Sequence, residues 1–448
     1  MELLNQLSRR QYIDGEWVNS SNEETRKIIN PYNQEVIFEV AEGTSEDSER
    51  AILAARNAFE GSEWSQETSE SRGKKVGAIA DLIVEHREEL ARLETLDTGK
   101  TLEESYADMD DIANVFNYFA GLADKDGGEI IDSPIPNTES KVIKEPVGVV
   151  TQITPWNYPL LQASWKIAPA LVTGCTLVMK PSEITPLTTI RVFELMAEVG
   201  FPKGVINLVL GKGSEVGEPL SSHKEVDLVS FTGGIQTGKH IMKQAANHVT
   251  NVALELGGKN PNIIFDDADF DLAVDQALNG GFFHAGQVCS AGARILVHND
   301  IKDKFEAALI ERIKNIKLGD GFNPETEMGP VISAEHREKI EKYMEVAKSE
   351  NATIAIGGKR PEREDLQDGF FFEPTVITDC DTSMRIVQEE VFGPVVTIEG
   401  FSTEAEAIEL ANDSIYGLAG GVFTSDIGKA ERVVNKLKMG TVWINDFH

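Results

Sequence analysis

Cys289 lies in the stretch Phe282-Phe283-His284-Ala285-Gly286-Gln287-Val288-Cys289-Ser290-Ala291-Gly292, where most near neighbours are small. Small neighbours let a ligand approach the backbone closely and leave the sulfur open to attack a carbonyl carbon as thiolate. A lone cysteine is more often a buried small hydrophobe than a nucleophile, so the case rests on two further segments. Upstream is Leu254-Glu255-Leu256-Gly257-Gly258-Lys259-Asn260-Pro261, a carboxylate between leucines followed by two glycines. In a partly apolar setting such a carboxylate gains a raised pKa and can act as general base; its other reading is a strand-end group capping the Gly257-Gly258 turn. Further upstream is Pro155-Trp156-Asn157-Tyr158-Pro159, an amide side chain in a rigid aromatic turn.

These groups need a scaffold, and the sequence predicts an α/β one. Residues up to about 43 read as short strands, with Gln11–Val18 as a strand and turn and 36–41 as a further strand. From Ser45 the apolar period becomes helical, through Ala51, Ile52, Ala55 and Phe59, then Val76, Ile79, Ala80, Ile83 and Leu90, then 102–120. Gly127-Gly128 and Ser133-Pro134-Ile135-Pro136 mark an excursion. Apolar runs at 149–153, 176–179, 205–210 and 226–231, separated by helical segments, are the pattern of βαβ units on a parallel sheet. A second α/β block opens at Asn260, with a helix over 269–283 delivering Cys289. Strands over 294–297, 375–378 and 395–398 and helices over 302–316, 403–411 and 427–437 follow. The run Phe231-Thr232-Gly233-Gly234-Ile235-Gln236-Thr237-Gly238 feeds glycines into a helix start, a good place for a dinucleotide pyrophosphate. Its spacing departs from G-x-G-x-x-G.

A chain of 448 residues suggests two or three domains. With 41% hydrophobic and 26% charged residues it is an ordinary globular composition, and no apolar run reaches membrane-spanning length. The N-terminus lacks a signal-peptide pattern, and three scattered cysteines make no disulfide framework, so a reducing cytoplasm is expected. A formal net charge of −32 argues against nucleic-acid binding and suits a cationic substrate.

Together, the segments around Asn157, Glu255 and Cys289 resemble the aldehyde dehydrogenase superfamily. The resemblance implies two doubly wound α/β domains: a modified Rossmann NAD-binding domain over 1–120 and 142–252, and a catalytic thiol domain over 253–448. Residues 121–141 would form a bridging or oligomerisation excursion, the chain assembling as a homodimer or homotetramer. Family members usually continue several dozen residues further with a strand that completes the subunit interface, so that strand is expected to be absent. The implied reaction is NAD-dependent oxidation of an aldehyde to its acid. Cys289 forms a thiohemiacetal and then a thioester, Asn157 holds the oxyanion, and Glu255 activates the hydrolytic water; no metal is involved. For the cofactor, the resemblance assigns Lys180 and Glu183 of Met179-Lys180-Pro181-Ser182-Glu183 to the adenosine ribose and Gly233, Gly234 and Gly238 to the dinucleotide turn. Glu390 and Phe392 of Glu389-Glu390-Val391-Phe392-Gly393-Pro394 serve the nicotinamide ribose and ring. Lys180 and Glu183 read otherwise as a solvated pair at a turn. Gly234 departs from the serine common in the family, which implies one fewer hydrogen bond to the cofactor.

Tyr158, Trp165 and Phe283 match positions that line a trimethylammonium cage in the betaine aldehyde dehydrogenase subfamily, which implies betaine aldehyde as substrate. Asp108-Met109-Asp110-Asp111 would face the substrate entrance. Core-filling aromatics and a solvated acidic face are the plain alternative. An ω-aminoaldehyde or general aldehyde dehydrogenase is the competing activity, and an inactive binding protein on this fold is the reading from a different class.

Overall fold

Apolar runs too short for helices become buried parallel strands, and the connecting helices cover both faces. The structure, a computed structural model, describes residues 2–61, 63–125 and 127–447, with the side chains of Glu2 and Leu3 left aside. His448, the last residue of the expected catalytic domain, lies outside the described residues.

The chain divides into two compact units. The first holds residues up to Ile29, Val36–Asp97 and Glu103–Glu255; the second holds Asn30–Glu35, Thr98–Leu102 and the chain from Leu256. The segments 30–35 and 98–102 therefore pack with the second unit, although the sequence reading places them in the cofactor domain. They are short connections without regular strand pairing, so no periodicity marks where they belong.

In the first unit, β1 (Gln11–Ile13) and β2 (Glu16–Val18) form a hairpin across Asp14 and Gly15, both at positive φ. β3 (Thr25–Ile29) pairs with β4 (Val36–Ala41). β5 (Glu129–Ile131) pairs with β6 (Ser140–Val142) as a separate two-stranded sheet, every residue of which is exposed. The main sheet takes β7 (Val149–Ile153), β8 (Thr176–Lys180), β9 (Ile206–Leu208), β10 (Leu228–Gly233) and β11 (Asn251–Leu256) in the order β11-β10-β7-β8-β9-β1-β2. From β10 through β9 the pairing is parallel, and all residues of β7, β8 and β9 are buried. β11 is an edge strand, and its residues alternate between exposed and half-buried.

The second unit carries β12 (Pro261–Ile264), β13 (Arg294–His298), β14 (Thr353–Ile356), β15 (Thr375–Thr378), β16 (Val395–Phe401), β17 (Ala419–Phe423) and β18 (Thr441–Ile444) in the order β14-β15-β16-β13-β12-β17-β18. Only β14 pairs antiparallel. A parallel sheet is what the apolar runs predict, and strand and helix ends shift by a few residues. The long helix Ala334–Ser349 has no counterpart in the sequence reading. It begins at a Ser333 cap whose hydroxyl accepts the His336 N–H, and it buries only Arg337, Ile340, Met344 and Ala347.

The glycines near Cys289 have a packing reason. Phe447 is fully buried, and its ring lies where a Cβ on Gly280, Gly292 or Gly421 would stand. Its partner ring, Trp443, has its centroid 5.1 Å away. Phe447→Ala should therefore leave a cavity beside the Cys289 segment and destabilise the protein by about 3–5 kcal/mol. Urea unfolding followed by tryptophan fluorescence measures this; an unchanged midpoint would show that the ring is dispensable.

Candidate active site

In the second unit the segment before Cys289 leaves the helix Phe270–Phe282 through three consecutive left-handed residues: His284 (φ 46), Ala285 (φ 54) and Gly286 (φ 68). Left-handed backbone at a non-glycine residue costs about 1–3 kcal/mol, so the surroundings must enforce it. Gly286 meets the further demand that the Gly393 carbonyl fills the place of any Cβ. Gln287 is buried and donates to the His284 carbonyl at 3.2 Å while accepting the Ile332 N–H at 2.9 Å. On the other side, the Asn260 amide donates to the Cys289 carbonyl at 2.9 Å and to the Ala291 carbonyl at 2.9 Å, and accepts the Ala419 N–H at 3.0 Å. Cys289 itself stays only partly buried. A backbone held on both sides with the sulfur left accessible is what a nucleophile needs.

Of the other two cysteines, Cys175 is buried and Cys380, like Cys289, is partly buried. Cys380 has its thiol pushed up to about 12, first by burial and then by Glu399, against the opposing charge of Lys259. Lys259 is fully buried and brought down to about 8 by burial and by Arg294. Its ammonium donates to the Ile386 carbonyl at 2.9 Å, beside the buried Arg294–Glu399 pair at 2.7 Å.

Glu390 accepts the Gly258 N–H at 3.1 Å. The carboxylate on the Gly257-Gly258 turn is therefore Glu390, and the capping role considered for Glu255 falls to it. Burial raises the Glu390 carboxyl above the usual range, against the pull of the Gly258 N–H and of Lys339 and Lys259. Phe392 sits at φ 63. Phe283, at the end of the helix before the strained turn, is half-buried.

In the first unit Glu255 is exposed on the edge strand β11. Its expected apolar setting is not found, because an edge strand with alternating exposure leaves the side chain in solvent. A residue that the sequence reading passes over stands near it. Lys166 is buried in the helix Pro159–Val172, and its ammonium donates to the Thr232 hydroxyl at 2.7 Å, which in turn donates to Gln162 at 3.1 Å. Burial lowers Lys166 to about 8, while the Glu255 carboxylate pulls the other way. A lysine between apolar helix positions is the only sequence signal for it. Asn157 is buried in the turn that starts this helix, Tyr158 is its N-cap residue and Pro159 its first position.

Trp165, on the same helix, is 47% exposed. With Leu161 it faces Asp111, Asn114, Val115, Tyr118 and Phe119 across a hollow of ≈ 490 Å³. Only one of the three acids expected at an entrance lines it. Asp108 is buried, and Asp110 is held by Arg87 at 2.6 Å. The helix Leu102–Leu122 explains this: 108, 112 and 116 face inward, while 111, 115 and 118 fall on another side.

A second cavity, of ≈ 520 Å³, is lined by Glu183, Gly213, Ser214, Glu218, Phe231, Thr237, His240 and neighbouring residues. Lys180, at the end of β8, is buried and bonds Glu183 at 3.3 Å, so the two are not a solvated pair. Burial works against the Glu183 carboxylate, yet Lys180 and Arg26 together hold it below the usual carboxylate range. Strand β10 ends at Gly233, beside the Phe231 ring, and Gly234 caps the helix Ile235–Ala245 with no side-chain bond. Gly238 is buried in the first turns of that helix. A Cβ at Gly234 would meet nothing within 4 Å, and its φ of −68 suits any residue, so a serine fits there. The residues from Gly213 to His240 that line this cavity were not legible in the glycine pattern alone.

The family model described as "Aldehyde dehydrogenase family" matches residues 17–448. The chain belongs to the aldehyde dehydrogenase family. Among relatives in the family, a betaine aldehyde dehydrogenase of Bacillus subtilis is 66% identical over 442 residues, covering 99% of this chain and 90% of that protein. The aminoaldehyde dehydrogenase 2 of Zea mays is 48% identical over 441 residues, covering 97% and 87%. The crystal structure of a Staphylococcus aureus betaine aldehyde dehydrogenase, in complex with NAD+ and with Cys289 free of β-mercaptoethanol, is 83% identical. It superposes with a TM-score of 0.99, covering 100% of this chain and 89% of that one.

Iodoacetamide at pH 8 should label Cys289 first. With burial pushing its thiol up to about 12, Cys380 is held protonated at that pH, and Cys175 is shielded. Peptide mapping by mass spectrometry checks the order; Cys380 or Cys175 labelled first would contradict it.

Proposed function

We propose that this chain oxidises betaine aldehyde to glycine betaine with NAD, through a thiohemiacetal and a thioester on Cys289. The observation that carries the chemistry is the clamped backbone around a partly exposed Cys289; Cys175 is buried, and Cys380, though also partly exposed, has its thiol pushed up to about 12. The thiolate adds to the aldehyde carbon, and the resulting oxyanion is assigned to the Asn157 amide and the Cys289 N–H. One such preorganised donor is worth about 3 kcal/mol of barrier. Glu255 takes the proton of the water that hydrolyses the thioester, and its exposure on β11 is compatible with reaching water. Lys166, buried nearby and donating to the Thr232 hydroxyl, stands as the neighbouring cation.

The residues present fit NAD. Glu183, steadied by Lys180 and Arg26, is an acceptor for ribose hydroxyls and repels a 2′-phosphate. The uncapped start of the helix after Gly234 offers N–H groups to a pyrophosphate, and Gly233 and Gly238 keep that turn and helix close-packed. Glu390 and Phe392 are assigned to the nicotinamide ribose and ring. When bound, NAD supplies the two-electron acceptor that turns the adduct into a thioester.

For the substrate, the hollow beside Trp165 combines aromatic faces with the Asp111 carboxylate, a chemistry suited to a quaternary ammonium group. Its likeness to the betaine aldehyde dehydrogenase of Bacillus subtilis supports the same choice. The resemblance also assigns Tyr158 and Phe283 to a cage, but neither lines this hollow. A second reading, an ω-aminoaldehyde, has the support of the 48% identity to the maize enzyme, since the same aromatic and acidic groups also receive a primary ammonium. We assign the β5–β6 hairpin to contact with a second copy of the chain, as homodimer or homotetramer: Ile130 and Ile143 are each 75% exposed there. No helix among the described residues is long and apolar enough to cross a membrane, and we place the enzyme in the cytoplasm.

Trp165→Ala tests the cage. Losing a ring face worth about 1–2 kcal/mol to a desolvated cation should lower kcat/KM for betaine aldehyde about ten-fold. The neutral isostere 3,3-dimethylbutanal should lose less, because packing damage affects both substrates alike. The ratio of the two kcat/KM values isolates the charge; equal losses would remove the cage and leave a general aldehyde dehydrogenase.

A further inference from the structure

The helix Ala334–Ser349 presents one face to the segment Glu389–Gly393, through residues spaced i, i+3, i+4 and i+7. The His336 Nε2–H donates to the Phe392 carbonyl at 2.5 Å, and the two rings meet edge-on with centroids 6.1 Å apart. Lys339 donates to the Glu390 carbonyl at 3.4 Å, and the Tyr343 hydroxyl donates to the Glu389 carboxylate at 2.9 Å. Ile340 occupies the space beside Gly393. Four positions of one helix thus hold four of the five residues of this loop, Glu389, Glu390, Phe392 and Gly393.

The strongest of these ties falls where the backbone most needs one. Phe392 is a bulky residue at φ 63, in the left-handed region that a side chain of its kind rarely adopts without enforcement. A carbonyl acceptor requires the proton on Nε2, so the tautomer of His336 is set. Burial, joined by the charge of Lys339, lowers His336 to about 4, so the ring stays neutral through the working range and the bond does not change with pH.

We propose that His336 is a positioning residue for the reaction: by holding the Phe392 carbonyl it keeps the left-handed turn that aims Glu390 and Phe392 at the nicotinamide half of NAD. This rests on the roles assigned above to Glu390 and Phe392. His336 acts through them and touches neither reactant.

The test compares His336→Phe, which keeps a ring and loses the donor, with His336→Gln, which keeps an N–H donor of similar reach. Both are assayed beside Glu390→Gln in the full chain. Removing the bond should raise KM for NAD about ten-fold in His336→Phe. It should also increase the deuterium isotope effect on kcat/KM with 1-deuterated aldehyde, because a misplaced acceptor slows hydride transfer. KM for the aldehyde should stay within about two-fold, and His336→Gln should recover to within about three-fold of the parent. Parent-like kinetics in His336→Phe, or equal losses in the Phe and Gln variants, would overturn the inference. An impaired Glu390→Gln beside an unimpaired His336→Phe overturns it alone, whereas an unimpaired Glu390→Gln overturns the reading of the loop and the inference with it. His336→Asn, whose amide falls short of the carbonyl, takes the place of His336→Phe if that chain does not fold, with the same outcomes.

Discussion

One buried amide organises the catalytic unit. Asn260 spends both of its N–H donors on carbonyls flanking the cysteine, those of Cys289 and Ala291, and its oxygen on the N–H of Ala419 at the start of β17. Buried carbonyls and N–H groups must be paired, and here a single side chain pairs three from two separate segments. The left-handed residues at 284–286 are tied by Gln287, which bonds the His284 carbonyl and the Ile332 N–H, and the chain beyond them is held by Asn260 at Cys289 and Ala291. The small residues around Cys289 follow from the same constraint. They leave room for Phe447 and for the Gly393 carbonyl as much as for a ligand.

The first unit solves a different problem, that of presenting charged groups at the ends of buried strands. Lys180 and Lys166 are both buried lysines, and each is compensated: Lys180 by Glu183 and the Pro181 carbonyl, Lys166 by Thr232 and the field of Glu255. Taking an ammonium out of water costs several kcal/mol even after relaxation, so such groups persist where their partners are fixed. The consequence differs for the two carboxylates: Glu183 is held by Lys180, whereas Glu255 stands exposed on β11 near Lys166.

Much of this was legible in the sequence, for reasons that can be named. Buried parallel strands are continuous apolar runs, so 149–153 and 375–378 stand out unaided. Cys289, Glu255 and Asn157 were visible because each sits in a short segment of unusual composition. What was not legible depends on distant pairings. That Asn260 binds the Cys289 loop involves residues 29 positions apart, and that Glu390 binds Gly258 spans 132 positions. The helix Ala334–Ser349 was missed because few of its residues are buried and most of its surface is charged. The acidic run at 108–111 was misread for the opposite reason. Adjacent in sequence, its members point in different directions on a helix, so one is buried, one is ion-paired and one lines the hollow.

We propose that aldehyde oxidation here proceeds through a thioester on Cys289 that Glu255 helps to hydrolyse. The most direct test mixes Glu255→Gln enzyme with NAD and betaine aldehyde, quenches within milliseconds to seconds, and maps the protein by mass spectrometry. A burst of NADH with a betainyl group accumulating on the Cys289 peptide is the predicted result. An adduct on another residue, or steady turnover at the parent rate with no adduct, would contradict it.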